Sequence, residues 1–326
     1  MDSLELTGLH HVSALTAQAA KNVEFYTRVL GMRLVKKTVN QDDVSSYHLF
    51  YGDEHGNPGT EVTFFDIPNA AGLRPGVSSI SRIALRVTGK EALSLWQERF
   101  DTIGVEHDPI TMEAGRAVLA FRDPEGQRLA LVDDTGAPLA GGTPWAKSVT
   151  PAVMGIRGLG SVSLTVRAAE PTARVLTEIM GFTQRGSYAA ADGPSRDILV
   201  FGTGLGGPGA EVHIDVRPDL PRERLGAGGV HHVAFRVPDR EQHEAWLEKL
   251  ESAGMRTSGL VERYYFRSIY FREPNGVLFE LATDGPGFLT DEDEAHLGEQ
   301  LALPPFLEPY RAQIEAGLHP LDTVLV

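Results

Sequence analysis

Residues 229–237 read Gly-Val-His-His-Val-Ala-Phe-Arg-Val, and residues 273–281 read Glu-Pro-Asn-Gly-Val-Leu-Phe-Glu-Leu. Alternation in the first run predicts a β-strand with Val233 on one face and His232 on the other. The second run reads as a turn followed by a strand that carries Glu280 among apolar residues. Burying a lone carboxylate is costly unless a cation meets it, and a histidine-bound metal is one such cation. The alternative is that Glu280 lies at a solvated sheet edge.

An internal duplication extends this pattern over the chain. One register, offset by 150 residues, holds at separated places: 9–13 match 159–163, 59–62 match 209–212, and 123–126 match 273–276. Such a repeat indicates a duplicated fold. Strand, helix and three strands recur four times, over 6–66, 79–134, 156–216 and 229–283. We therefore predict an α+β fold of four βαβββ modules in two tandem domains, each a curved mixed sheet with helices outside.

The repeat also sets the predicted boundaries. Residues 1–140 form the N-terminal domain with two modules, and residues 151–284 form the C-terminal domain with the other two. Residues 285–326 form a tail, in which the acidic run from Thr290 to Glu294 predicts a helix start and 308–317 a helix. We expect this tail to pack over one half of the chain or onto a neighbouring subunit.

Composition limits the classes of partner. The chain has 326 residues, 42% of them hydrophobic, no cysteine and a net charge of −14. Disulfides, thiolate metal sites and a cysteine nucleophile are excluded, and nucleic acid and membranes are not expected as partners. The N-terminus lacks a secretory pattern, which predicts a cytoplasmic location. A homo-oligomer is expected.

Comparison of the two halves separates the fold from the chemistry. Three metal-capable side chains stand where the sister half has ordinary residues: His11 opposite Ser161, His232 opposite Arg82, and Glu280 opposite Ala130. We interpret these three as metal ligands. His10 and His231 fall on the opposite strand phase and are assigned to the surroundings of the site. The remaining histidines, including His48, are assigned to loops, helix surfaces or an ordinary strand.

The predicted ligand set leaves the metal open. Two histidines and one carboxylate with free coordination positions are typical of non-haem Fe(II) enzymes that activate oxygen. Catalytic zinc takes the same ligands together with a water. The ligand set does not choose between them.

Several motifs together resemble a known family. The paired modules with His-His first strands are similar to the vicinal oxygen chelate superfamily, which has the glyoxalase and type I extradiol dioxygenase fold. Within it the chain looks most like ring-cleaving dioxygenases of para-hydroquinones. The motifs are Leu9-His10-His11-Val12, Val230-His231-His232-Val233-Ala234-Phe235, Arg263-Tyr264-Tyr265-Phe266, Ile269-Tyr270 and Asn275-Gly276-Val277-Leu278-Phe279-Glu280.

The resemblance implies an Fe(II)-dependent, extradiol-type dioxygenase that opens a hydroquinone or related dihydroxylated aromatic ring with O₂, Mn(II) being an alternative metal. It implies that the first and fourth modules face each other across the metal. By the same resemblance the residues around the substrate are His10, Ser13, His231, Arg263 and Tyr270, and the metal ligands are His11, His232 and Glu280. The alternatives are a glyoxalase-like isomerase or lyase and a metal-free small-molecule binding protein of the same fold.

Overall fold

Four modules of one strand, one helix and three strands follow each other along the chain. The structure, a computed structural model, describes residues 4–323. The strands are β1 Leu9–Thr16, β2 Arg33–Asn40, β3 Asp43–Gly52, β4 Glu61–Asp66, β5 Ser79–Val87, β6 Thr111–Glu113, β7 Arg116–Arg122, β8 Arg128–Asp133, β9 Leu159–Val166, β10 Thr183–Ala190, β11 Gly193–Gly202, β12 Glu211–Val216, β13 Val230–Val237, β14 Val261–Glu262, β15 Arg267–Arg272 and β16 Leu278–Thr283. The module helices are α1 Ala19–Glu24, α2 Lys90–Ile103, α3 Ala169–Arg174 and α4 Arg240–Ser252.

The strands form two eight-stranded sheets. The first has the order β14-β15-β16-β13-β1-β4-β3-β2, and the second has β10-β11-β12-β9-β5-β8-β7-β6. Each sheet joins modules from both halves, because β1 pairs antiparallel with β13 and β5 pairs antiparallel with β9. The predicted α+β class, with four βαβββ modules in two curved mixed sheets and helices outside, is confirmed. The domain boundaries at 1–140 and 151–284 stay predictions, and residues 1–3 lie outside the described part.

Alternation along β13 assigns its two faces. Val233 and Phe235 lie in the main hydrophobic core together with Trp246 of α4. Ala234 points to the other face, where it joins a smaller buried cluster with Tyr265. The first face therefore buries the strand against its helix, and the second is left to line the concave side of the sheet.

The tail packs on the first module. It contains the short 3₁₀ turns Phe288–Thr290 and Glu294–His296 and the helix α5 Arg311–Gly317. Leu301 forms a bridge with Lys37 of β2, the last strand of the first sheet. The expected packing over one half is observed and the helix at 308–317 is largely present, whereas the helix start predicted at Thr290 is wrong. Residues 324–326 of the predicted tail lie outside the described part.

Within residues 4–323, no helix is both long enough and apolar enough to cross a membrane.

Candidate metal centre

Three buried side chains meet at the middle of the first sheet. The His232 Nε2 atom lies 2.9 Å from Glu280 Oε2, and His11 Nε2 lies 3.3 Å from the same oxygen. The two Nε2 atoms are 3.3 Å apart. The exposed fraction is 1% for His11, 4% for His232 and 0% for Glu280.

Strand register brings these three residues together from distant parts of the chain. Ser13 of β1 pairs with His232 of β13, and Ala234 of β13 pairs with Glu280 of β16. His11 is thus supplied by the first module, and the other two by the fourth. The expected meeting of these modules follows from β1 and β13 being direct neighbours.

Glu280 is held through one of its two oxygens. Ser268 Oγ donates a hydrogen bond of 2.5 Å to Oε1, whereas Oε2 is buried without a hydrogen-bond partner among the described residues. Burial alone would raise the pKa of Glu280, but the facing His11 and His232 outweigh burial and lower this pKa well below its usual value. The carboxylate is therefore charged and presents a free lone pair to both imidazoles.

His10 fixes the orientation of His11 from behind. Its Nε2 lies 3.1 Å from the carbonyl oxygen of Thr283, which can only accept a hydrogen bond. Burial and the adjacent His11 lower the pKa of His10 well below its usual value, so the ring is neutral and its Nδ1 must be the acceptor. His11 Nδ1, 2.9 Å away, is then the donor. The other ring nitrogen of His11, Nε2, faces Glu280.

A matching histidine pair lies on β13. His231 Nδ1 and His232 Nδ1 are 2.8 Å apart. Burial and the adjacent His232 lower the pKa of His231 to about 4. Burial likewise lowers the pKa of His232, although Glu280 opposes the effect. Both rings are therefore neutral near neutral pH, and a proton on His232 Nδ1 leaves its Nε2 free to face the centre.

The donor set fits a divalent cation. Glu280 Oε2, buried without a hydrogen-bond partner among the described residues, faces the Nε2 atoms of His11 and His232, an arrangement that a bound cation would make favourable. Neutral imidazole and carboxylate are ligands for iron, manganese or zinc. A second group, His10, His11 and Glu61, also brings its ligand atoms together. There, however, the two histidines already use their Nδ1 atoms on each other.

A cavity of about 340 Å³ opens beside the three ligands. Its apolar wall includes Phe50, Phe65 and Phe266. The Phe266 ring packs 5.0 Å from that of His11, measured between centroids. The wall can accept a flat aromatic ring, since aromatic side chains favour offset or edge contacts at such distances.

Polar groups line the mouth of this cavity. Arg263 contacts Asp42 at 2.9 Å, and its Nε donates to Tyr270 Oη at 3.3 Å. Burial and the nearby Glu280 raise the pKa of Tyr270, so its hydroxyl stays protonated and can donate into the cavity. Ser13 also borders the cavity.

The structure thus groups most of the residues expected at the site. His11, His232 and Glu280 converge, and Ser13, His231, Arg263 and Tyr270 border the cavity. His10 does not border it and instead lies behind His11. Its geometry suits a positioning role rather than contact with substrate.

Sequence reasoning missed two residues at the site. His48, assigned to an ordinary strand, borders the cavity, and Ser268 holds Glu280. The repeat contained a signal for both. With the offset of 150, His48 stands opposite Ile198, and Ser268 stands opposite Val118.

The second sheet has an ion pair at the corresponding place. Arg82, the counterpart of His232, makes a bidentate hydrogen-bonded pair with Glu113. Tyr188 donates to Glu113 at 3.1 Å and lies 3.0 Å from His213 Nδ1. Among the described residues, both groups that could hold a metal lie in the first sheet.

Comparison with known proteins agrees with this architecture. The family model of the Glyoxalase/Bleomycin resistance protein/Dioxygenase superfamily matches residues 8–131 and again residues 158–281. Glyoxalase I from Zea mays has a TM-score of 0.61 at 16% identity, covers 85% of this chain and 92% of its own, and shares the fold.

Full-length relatives are also found. The Bacillus subtilis (strain 168) protein named "Putative ring-cleaving dioxygenase MhqA" is 54% identical over 98% of this chain and 100% of its own length. The chlorohydroquinone/hydroquinone 1,2-dioxygenase of Sphingobium indicum is 32% identical over 94% of each. The crystal structure of a "putative dioxygenase" from Bacillus subtilis has a TM-score of 0.89 at 34% identity, over 99% of this chain and 100% of that one. The chain therefore belongs to the glyoxalase, bleomycin resistance protein and dioxygenase superfamily.

Proposed function

We propose that this protein is an Fe(II)-dependent, extradiol-type dioxygenase that opens a hydroquinone or related dihydroxylated aromatic ring, with both atoms of O₂ entering the product. The observation that carries this proposal is the convergence of His11, His232 and Glu280 beside an aromatic-lined cavity. The names of the full-length relatives support ring cleavage as the reaction class.

His11, His232 and Glu280 would hold the iron, because two histidines and one carboxylate are the ligand set of non-haem Fe(II) sites that activate oxygen. When bound there, iron would supply the redox chemistry through which an aromatic diol reacts with O₂. Mn(II) is an alternative metal for the same ligands. The remaining tasks fall to the protein: it must orient the ring, hydrogen-bond its oxygens and exclude water.

The residues at the cavity suit these tasks. His231 is neutral and borders the cavity; because its Nδ1 accepts from His232, its Nε2 carries the hydrogen and can donate a hydrogen bond to a substrate oxygen. Tyr270 Oη accepts from Arg263 and keeps its own proton for donation to a developing oxyanion. Phe50, Phe65 and Phe266 keep the ring in an apolar, water-poor space.

The test combines metal analysis with oxygen uptake. Protein purified anaerobically and loaded with Fe(II) should consume O₂ with members of a panel of hydroquinones and catechols. Glu280→Ala, which installs the sister residue, should stay folded but lose iron and O₂ uptake. Glu211→Ala, a carboxylate removed from the second sheet, should keep both.

Other results would contradict the proposal. Metal binding without O₂ uptake would indicate an isomerase or lyase, and absence of metal binding would indicate a binding protein. Full iron content and activity in Glu280→Ala would show that Glu280 is not a metal ligand. A cytoplasmic location and a homo-oligomeric state are further proposals from the sequence, and size measurement in solution tests the second.

A further inference from the structure

His48 is held rigidly in the wall of the cavity. It lies on β3, directly opposite Phe65 of β4. Its ring is 4.0 Å from that of Phe50 and 4.2 Å from that of Phe65, measured between centroids. Two aromatic neighbours at these distances leave the imidazole little freedom to rotate.

One nitrogen of His48 is engaged, and the other is free. Nε2 lies 2.9 Å from Thr63 Oγ1, which is itself 2.7 Å from Ser13 Oγ. Within residues 4–323, Nδ1 has no hydrogen-bond partner, although the residue borders the cavity. An imidazole fixed through one nitrogen presents the other as a directed hydrogen-bonding group.

The position of His48 relative to the metal ligands suggests what it binds. Two strand spacings, about 10 Å, separate β3 from β1, which carries His11. The Phe65 ring contacts His48 and also lies 6.4 Å from the ring of His232. This span suits one benzene ring with an oxygen at each end. Adjacent hydroxyls would both reach the metal ligands and leave His48 without a partner.

The sister sheet indicates that the fold does not require this histidine. Ile198 stands at the position equivalent to His48, and Asp215 at that equivalent to Phe65. The equivalent of the metal ligand His232 there is Arg82, which pairs with Glu113. The histidine is therefore present in the sheet that carries the metal ligands, and the equivalent strand of the other sheet forms without it.

We propose that His48 Nδ1 hydrogen-bonds the ring hydroxyl opposite the one that reaches the metal, and so selects rings whose two hydroxyls lie on opposite carbons. This inference rests on the proposed function, because it requires that an aromatic diol bind beside His11, His232 and Glu280.

The test measures binding of hydroquinone, phenol and catechol to the Fe(II)-loaded protein under anaerobic conditions by calorimetry. The wild type should bind hydroquinone about tenfold more tightly than phenol, the effect of one buried hydrogen bond. His48→Phe keeps the aromatic packing and should bring this ratio close to one, with phenol and catechol affinities and iron content unchanged. His48→Asn, whose amide can replace Nδ1, should restore part of the ratio; His48→Gln, whose amide replaces Nε2, should not.

Two results would overturn the inference. An unchanged ratio in His48→Phe would mean that Nδ1 does not contact the hydroxyl. An equal loss of affinity for hydroquinone and phenol would mean that His48 only shapes the cavity. Oxygen uptake by the wild type distinguishes failure of the proposed function from failure of this inference. If the wild type takes up no oxygen, the proposed function is wrong. If it takes up oxygen but shows no preference for hydroquinone over phenol, only the proposed role of His48 is wrong.

Discussion

Ser268 is the side chain that orients the carboxylate of Glu280. Its hydroxyl donates to Oε1, and Oε2 has no hydrogen-bond partner among the described residues, so Oε2 is available to the proposed metal. Replacing Ser268 with Ala should weaken Fe(II) binding about tenfold, a typical effect of removing a group that orients a metal ligand. The protein should stay folded, because the sister strand has Val118 at this position. Anaerobic competition of the protein with a chelator measures the change.

Ser163 provides the matched control. It lies on the equivalent concave face of the second sheet, where it pairs with Arg82 across the strands. Ser163→Ala should leave the affinity for Fe(II) unchanged. If both variants lost affinity equally, Ser268 would act through general stability, and orientation of Glu280 would be the wrong explanation.

Individual residues differed in how well the sequence predicted them. His11, His232 and Glu280 are predicted as ligands because the sister half has residues there that cannot form the same site. His48 and Ser268 differ from their counterparts in the same way, but a lone histidine or serine in a strand is usually structural. The roles of His48 and Ser268 depend on which residues face them on the neighbouring strands. Those neighbours are known only once the strand register is known.

The turn after β7 shows how burial couples stability to pH. Asp123 accepts hydrogen bonds from the backbone N–H groups of Glu125 and Gln127, yet burial raises its pKa to about 6. The pKa of Asp123 is therefore higher in the folded chain than in the unfolded chain, and its protonated form favours the fold. The contribution of Asp123 to the free energy of unfolding is complete below about pH 4 and is lost as pH rises through 6.

Asp123→Asn should remove this dependence, since the amide keeps an acceptor oxygen but cannot ionise. We expect the variant to exceed the wild type in free energy of unfolding by about 2 kcal/mol at neutral pH, with the gap closing in acid. Urea unfolding from pH 4.5 to 7.5 measures it. At Asp133, hydrogen bonds from Thr135 outweigh the effect of burial and lower the pKa. Asp133→Asn should therefore lower the free energy of unfolding at neutral pH. If both variants changed this free energy in the same direction, the pKa shifts would not explain the pH dependence of stability.

The acidic run of the tail shows how a buried charge overrides a local helix signal. Asp291 and Glu292 both contact Lys36 Nζ, which is fully buried on β2. Asp291 also accepts a hydrogen bond of 2.8 Å from Tyr265, whose ring borders the cavity. Neutralising a buried ammonium outweighs the modest gain from acidic side chains at a helix start. The sequence predicted a helix start from these acids, but the partner of Asp291 lies 255 residues away along the chain and could not be predicted.

Lys36→Met should release the tail. Methionine keeps the length and packing of the side chain but leaves Asp291 and Glu292 without a cation, which should lower the free energy of unfolding by about 3 kcal/mol. Hydrogen exchange should rise mainly over residues 286–303. Lys37→Met is the control: Lys37 Nζ donates a hydrogen bond to Thr323, and the charges of Asp322 and Glu292 do not outweigh the effect of burial on its pKa, so we expect a loss of about 1 kcal/mol. Comparable losses in both variants would mean that side-chain packing, and not charge, holds the tail.

At the scale of the whole molecule, a sequence repeat does not determine which modules share a sheet. Four modules were evident from the offset register, but similar first strands could pair within a half or between halves. The resemblance to a known family implied that the first and fourth modules face each other across the metal. The structure agrees, with β1 next to β13, and each sheet is therefore completed by the other half of the chain.

This pairing predicts how a divided chain behaves. Cutting between Ala146 and Lys147, both exposed, separates His11 from His232 and Glu280. Each fragment alone exposes unpaired edges of central strands and should aggregate or self-associate without binding iron. Co-expressed fragments should assemble, because pairing β1 with β13 and β5 with β9 buries those edges, and the pair should bind about one equivalent of Fe(II). The same pair carrying Glu280→Ala should assemble without iron. Tight iron binding by fragment 147–326 alone would show that His11 is dispensable, and the site would not need both halves.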